Sequence, residues 1–266
     1  MKKVIISLLT VMMICTFAIC AYGSENEDRE ETLFQVNLLQ SLTAGGYDGS
    51  ISVAELSQYG DIGIGTFDGV NGEMIVLDGV VYQALYDGSV MIADDDETVP
   101  FATVTYMDAD ITEDVEIESM DQLKEYLNGI VEENGKNQFY MVRLDGSCSE
   151  VLVRSELKQE KPYRPLDEVL AEDQREFSYS GMNGSIIGLY CPSYMDGLNT
   201  PGWHFHFISD DRQSGGHMLD LSSFSGQLII DKFSSFEMQC ADTAEFNSFD
   251  LAEDQSERIE EVEQGK

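Results

Sequence analysis

Apolar positions change their period several times along the chain, and the changes divide it into elements. Leu33 to Leu42 carries apolar residues at helical spacing and stops at Gly45-Gly46, which predicts a helix. From Ile51 to Thr105 the pattern shortens. Runs rich in β-branched and apolar residues (Met74 to Leu77, Val80 to Leu85, Val99 to Tyr106) alternate with Asp68-Gly69, Asn71-Gly72, Asp78-Gly79 and Asp87-Gly88. Those dipeptides are the turn pairs of hairpins in an antiparallel sheet.

Farther on, Leu123, Tyr126, Leu127, Ile130 and Val131 give one apolar face to a helix from Asp121 to Asn134. Gln138 to Leu144 reads as a strand that closes at Asp145-Gly146. A proline-punctuated connector, Lys161 to Pro165, leads into a short helix, Leu166 to Glu172. Strands then follow at Ser185 to Cys191, Trp203 to Ile208, His217 to Leu221 and Gly226 to Phe233. The fold class is therefore α+β and β-dominated: mixed or antiparallel sheets form two packed subdomains, about residues 33–155 and 180–249, with a few helices. An acidic tail with helical spacing occupies residues 250–266.

The N-terminal pattern has a different meaning. Lys2 and Lys3 precede an uncharged apolar run from Val4 to Cys20, and Ala21 and Gly23 are the small residues of a cleavage site. Residues 1–23 read as a signal peptide cleaved after Gly23, so the mature chain, 24–266, is expected to be secreted or extracytoplasmic. The apolar run is short for a membrane span.

Charge narrows the partners. The formal net charge is -35, and loss of Lys2 and Lys3 takes it to about -37. Such a surface repels phosphate backbones and anionic lipid heads, so neither nucleic acid nor, after signal removal, a membrane is expected as a partner. Cys15 and Cys20 leave with the signal. Cys148, Cys191 and Cys240 remain, an odd number with no CxxC, which is neither a disulfide framework nor a thiolate zinc site.

The candidate chemistry lies in the histidines. The chain has three, and all fall between His204 and His217. His204 and His206 are two apart in Trp203-His204-Phe205-His206-Phe207-Ile208, so on a strand both point to one face. Ser209 to Gly216 is a polar connection ending in Gly215-Gly216, and His217 opens the next strand, where it can stand beside the first pair. Three neutral imidazoles converging from a hairpin suit a catalytic zinc, with coordination positions left open for water or substrate. The pattern gives a metal site and not a reaction.

The surrounding residues resemble those of bacterial acetolactate decarboxylases. The resemblance is carried by Gly202 to Arg212 with Gly215-Gly216-His217, by Gly63-Ile64-Gly65-Thr66-Phe67-Asp68 with Gly72 to Gly79, and by Ala93 to Ala102. Lys161-Pro162-Tyr163 and Pro192 to Pro201 match more loosely. The blocks run in family order from about residue 33 to 235. The resemblance implies a zinc lyase that converts the small molecule 2-acetolactate to acetoin, with His204, His206 and His217 as ligands. It implies Glu73 as an acidic residue beside the metal, Arg143 as the arginine of the active site, and Thr66 near it. It also implies a glutamate from the C-terminal tail, Glu263 first and Glu261 second. Trp203 and Phe205 depart from the tyrosine and aliphatic residue expected around the first histidine, which alters pocket lining more than ligation.

Two other readings fit the same three histidines. One is a hydrolase using zinc-bound hydroxide with Glu73 as base; the other is an exported metal-binding or sugar-binding protein without catalysis. A homodimer is compatible with a β-rich secreted enzyme of this size, though nothing in the residues specifies it. Asp94 to Glu97 resembles a calcium loop in composition only and reads as a solvated turn or helix-capping segment.

Overall fold

The computed structural model describes residues 31–252. The N-terminal region contributes β1 (Thr32–Val36), β2 (Ile51–Ser52), β3 (Ile62–Thr66), β4 (Glu73–Leu77), β5 (Val80–Ala84), β6 (Val90–Ile92), β7 (Thr98–Val99) and β8 (Phe101–Thr105). The rest contributes β9 (Ile111–Ile117), β10 (Phe139–Glu156), β11 (Gln174–Cys191), β12 (Gly202–Ser209), β13 (Gly215–Leu221), β14 (Phe224–Phe233) and β15 (Ser235–Gln239). The helices are α1 (Leu39–Thr43), α2 (Val53–Leu56), α3 (Met120–Asn134) and α4 (Leu166–Asp173).

One sheet has seven strands in the order β15-β1-β8-β3-β4-β5-β6, and a second has six in the order β11-β12-β13-β10-β14-β9. The architecture is β-dominated α+β with mixed sheets, since β1 and β15 run parallel while the other ladders of these two sheets are antiparallel. The chain changes sheet between Thr105 and Ile111, and β15 returns to the first. Most of residues 155–180, between the two expected subdomains, lies inside β11 and α4.

The two sheets pack face to face. Ile62, Ile64, Ile75 and Leu77 of the first meet Phe139, Met141, Ile187, Leu189 and Ile208 of the second in one buried cluster. The opposite face of the second sheet is covered by α3, whose Leu123, Leu127 and Val131 are buried as their spacing requires. Ser119 caps this helix by accepting from the N–H of Gln122. At the N-terminus of α2, the carbonyls of Asp95 and Glu97 accept from Ala54 and Val53, so the acidic loop serves as a cap.

Within the second sheet, β10 and β11 pair along their whole length, β11 pairs with β12, β12 with β13, and β13 returns to β10. Four strands thus form a closed circuit of ladders.

Two sequence expectations are corrected. Residues 33–42 do not form one helix: Thr32–Val36 is a strand between β15 and β8, and only Leu39–Thr43 is helical. Leu33, Phe34 and Val36 are all buried, so their apolar run lacks the alternation that separates a doubly covered strand from a helix. Asp145-Gly146 does not close a strand either. Gly146 lies mid-strand between Gly184 and Gly226, where a Cβ would fall 2.3 Å from the Ser225 carbonyl oxygen. The glycine permits close backbone approach and makes no turn.

The signal segment, Glu261 and Glu263 lie outside the described residues. Among the described residues no helix is long and apolar enough to cross a membrane, and Cys148, Cys191 and Cys240 are free thiols.

Candidate metal centre

Strand alternation on β12 sends Phe205 and Phe207 into the cluster beneath α3 and leaves His204 and His206 on the face toward the first sheet. A tight connection brings the third imidazole back. The N–H of Ser209 donates to the Ser214 carbonyl, and the Ser209 hydroxyl donates to Asp211. This register places His217 directly opposite His206. Gly216 has φ of 149°, and a Cβ there would lie 2.5 Å from the Arg154 carbonyl oxygen, so only glycine lets β13 settle against β10 at this point.

The ring nitrogens converge. Nε2 of His204 is 3.1 Å from Nε2 of His206 and 2.9 Å from Nδ1 of His217. Three nitrogens at tetrahedral positions about a zinc ion would be separated by roughly 3.3 Å, given Zn–N bonds of about 2.0–2.1 Å. Among the described residues, these three form the one cluster of His, Cys, Asp or Glu with that convergence. Nδ1 of His206 donates to the Met74 carbonyl at 2.9 Å, which fixes the tautomer and turns Nε2 toward the other two rings.

Burial, then the charge of Arg154, pushes His204 down to about 3. His206 is held well below its ordinary value by burial, then by His204 and Arg154, against the opposing effect of the Met74 carbonyl. Both rings are neutral at pH 7 and present lone pairs, as metal ligation needs. The donor set and its orientation therefore fit a divalent metal.

The first sheet brings an acidic side chain to the same place. Glu73 opens β4 opposite Thr66, and its Oε2 is 3.4 Å from Nε2 of His206. The Thr66 hydroxyl donates to the Gly72 carbonyl at 2.8 Å. Glu73, Thr66, His204 and His217 all line a cavity of about 430 Å³. Leu39 and Leu42 of α1, Leu166 and Leu170 of α4, and Phe101 provide its apolar wall.

The sequence profile of the alpha-acetolactate decarboxylase family matches residues 33–253. The chain belongs to that family. It is accordingly an enzyme of the carbon-carbon lyase class. An alpha-acetolactate decarboxylase from Methanosarcina mazei is 38% identical over 239 residues, covering 90% of this chain and 82% of its own. One from Bacillus subtilis is 32% identical over 220 residues, covering 82% and 85%. The crystal structure of alpha-acetolactate decarboxylase from Bacillus subtilis strain 168 superposes with a TM-score of 0.84 at 31% identity, over 87% of this chain and 99% of the other.

For an acetolactate decarboxylase family member, the position of Arg143 is unexpected. Its guanidinium is 2.6 Å from Asp78 and 2.6 Å from Asp145, and it is not among the residues lining the cavity. The cavity's guanidinium is that of Arg154, farther along β10 and paired across the ladder with His217. Arg143 thus ties the β4–β5 turn to the second sheet, and the arginine that lines the cavity is Arg154. Glu156, on the same face of β10, also lines the cavity and went unnoticed. The available signal was two charges, two positions apart, at the end of the strand run Val151 to Glu156, which otherwise holds three apolar residues and Ser155.

Proposed function

We propose that the chain decarboxylates 2-acetolactate to acetoin, with a zinc ion held by His204, His206 and His217. The observation that carries this reading is the convergence of three imidazoles beside a cavity that two of them line together with one guanidinium and two carboxylates, in a chain of this family. Zinc in that site would supply Lewis acidity, worth several kcal/mol where negative charge develops on the ketone oxygen of the substrate.

The chain's own groups account for the remaining steps. Arg154 receives the substrate carboxylate, which a guanidinium can orient through paired hydrogen bonds. As CO2 leaves C2, its electron pair moves toward the ketone oxygen. Glu73, beside His206, then delivers a proton to C2, a general-acid role suited to a nearly buried carboxyl group. The apolar residues of α1, α4 and Phe101 exclude water and accept the methyl groups. Thr66 fixes the Gly72 carbonyl and with it the approach of Glu73. A tail carboxylate, Glu263 or Glu261, remains a second proton donor under this reading. Residues 1–23 would direct the enzyme out of the cytoplasm.

The test is acetoin formation from racemic 2-acetolactate by purified mature protein, with and without a chelator. Chelator-sensitive, zinc-restored acetoin above the spontaneous rate is the expected result. Its absence from well-folded, zinc-loaded protein would overturn the proposal, and activity on esters or lactones instead would favour the hydrolase reading.

A further inference from the structure

Two side chains of opposite charge stand together in the cavity wall, and only one has a task so far. Arg154 and Glu156 share a face of β10, with Nε of Arg154 3.4 Å from Oε1 of Glu156 and each side chain 5% exposed. Both line the cavity that His204 and His217 also line. A buried guanidinium–carboxylate pair recovers only part of the desolvation it costs. For binding an anion, an unopposed guanidinium would be stronger.

The reaction gives this weakening a purpose. The substrate carboxylate is charged at the outset and leaves as neutral CO2, so its attraction to Arg154 fades on the way to the transition state. Attraction made chiefly in the ground state slows the chemical step.

We propose that Glu156 is a positioning residue whose carboxylate, in ion-pair contact with the Arg154 guanidinium, offsets part of its charge. The carboxylate of a 2-hydroxy-3-keto acid is thereby oriented without being held tightly. This rests on the substrate assigned above.

Glu156→Gln keeps the shape of the side chain while removing its charge. The binding probe is 2-hydroxyisobutyrate, which has the hydroxyl and carboxylate but no ketone to accept electrons. It is titrated by calorimetry into zinc-loaded protein, with neutral acetoin as the control ligand. The variant is expected to bind 2-hydroxyisobutyrate about tenfold more tightly, the effect of removing one opposing charge beside the site, with acetoin unchanged. With 2-acetolactate, KM and kcat are expected to fall together by about tenfold, leaving kcat/KM nearly unaltered. Unchanged or weaker 2-hydroxyisobutyrate binding at full zinc content overturns the proposal, and so does an equal shift in acetoin affinity.

Should Glu156→Gln not fold, Glu156→Asp carries the test. Its shorter carboxylate loosens the contact to Nε, and about threefold tighter 2-hydroxyisobutyrate binding is expected; no change overturns the role. Acetoin formation by the unmodified protein is scored separately. Its absence removes the assigned reaction, whereas an unchanged 2-hydroxyisobutyrate affinity removes only the role of Glu156.

Discussion

Arg154 and His217 are partners across the β10–β13 ladder, just beyond a register shift between Leu152 and Val153. The shift leaves Leu219 as an extra residue on β13, so it sets the face on which His217 emerges opposite Arg154 and places an imidazole beside a guanidinium at the same cavity.

From this pairing the two arginines of β10 should behave differently. Arg154→Gln is expected to lower kcat/KM for 2-acetolactate by about 100-fold or more, as loss of a charge-assisted carboxylate contact does. Arg143→Gln removes partly exposed ion pairs and should leave kcat/KM within about twofold, with a stability change near 1 kcal/mol. Steady-state kinetics and denaturant unfolding of both variants check this. A larger kinetic loss in Arg143→Gln would return the active-site role to that residue.

Removing one imidazole should empty the centre. His217→Ala is expected to hold less than about a tenth of the zinc of the unmodified protein after dialysis, and to lose acetoin formation with it. Metal analysis by mass spectrometry is the measurement. Retention of a full equivalent of zinc would mean that the three rings are not its ligands.

Asp231 gives a stability prediction with a definite sign. Its carboxyl is raised to about 7, chiefly by burial and further by Asp110, Glu31 and Asp108, although the N–H of Asp108 donates to it. The folded state therefore keeps a proton that the unfolded state has released above about pH 4. The stability tied to this group is fully present below about pH 4 and is lost progressively as the pH rises to about 7. Asp231→Asn should thus gain stability relative to the unmodified protein as pH rises from 4 to 8. Denaturant midpoints of the two proteins, compared at each pH, test the trend; a constant difference would sink it.

The sheet crossing at Gly146 should be intolerant of any side chain. Gly146→Ala brings a Cβ against the Ser225 carbonyl and the Gly226 Cα, and is expected to destabilise the fold by about 1–3 kcal/mol. Thermal unfolding reads this directly.

Local chemistry made much of this molecule legible beforehand. Leu123, Leu127 and Val131 announced α3, Asp78-Gly79 the turn from β4 to β5, and the spacing of His204, His206 and His217 a converging hairpin. What escaped depended on distant partners. Leu33 to Val36 are apolar on both faces because β1 is covered on both, and that covering comes from elements far along the chain. Gly146 looks like a turn residue until two other glycines face it. Arg143 and Arg154 occupy the same long strand, and which one reaches the cavity follows from a change of face between Cys148 and Val151, after which Val151 and Val153 replace the even-numbered residues in the cluster beneath α3. Trp203 and Phe205, unusual around the first histidine, pack away from the rings: they stack on each other at 5.6 Å on the side of α3.

The closed circuit of β10, β11, β12 and β13 has a bearing on how the centre is loaded. Strands in a ring have no free side from which to fray, and exposing His206 means breaking its ladders to β11 and to β13 together. The ring of strands then holds the imidazoles in place by itself, so under the proposed zinc reading an ion would meet a finished socket.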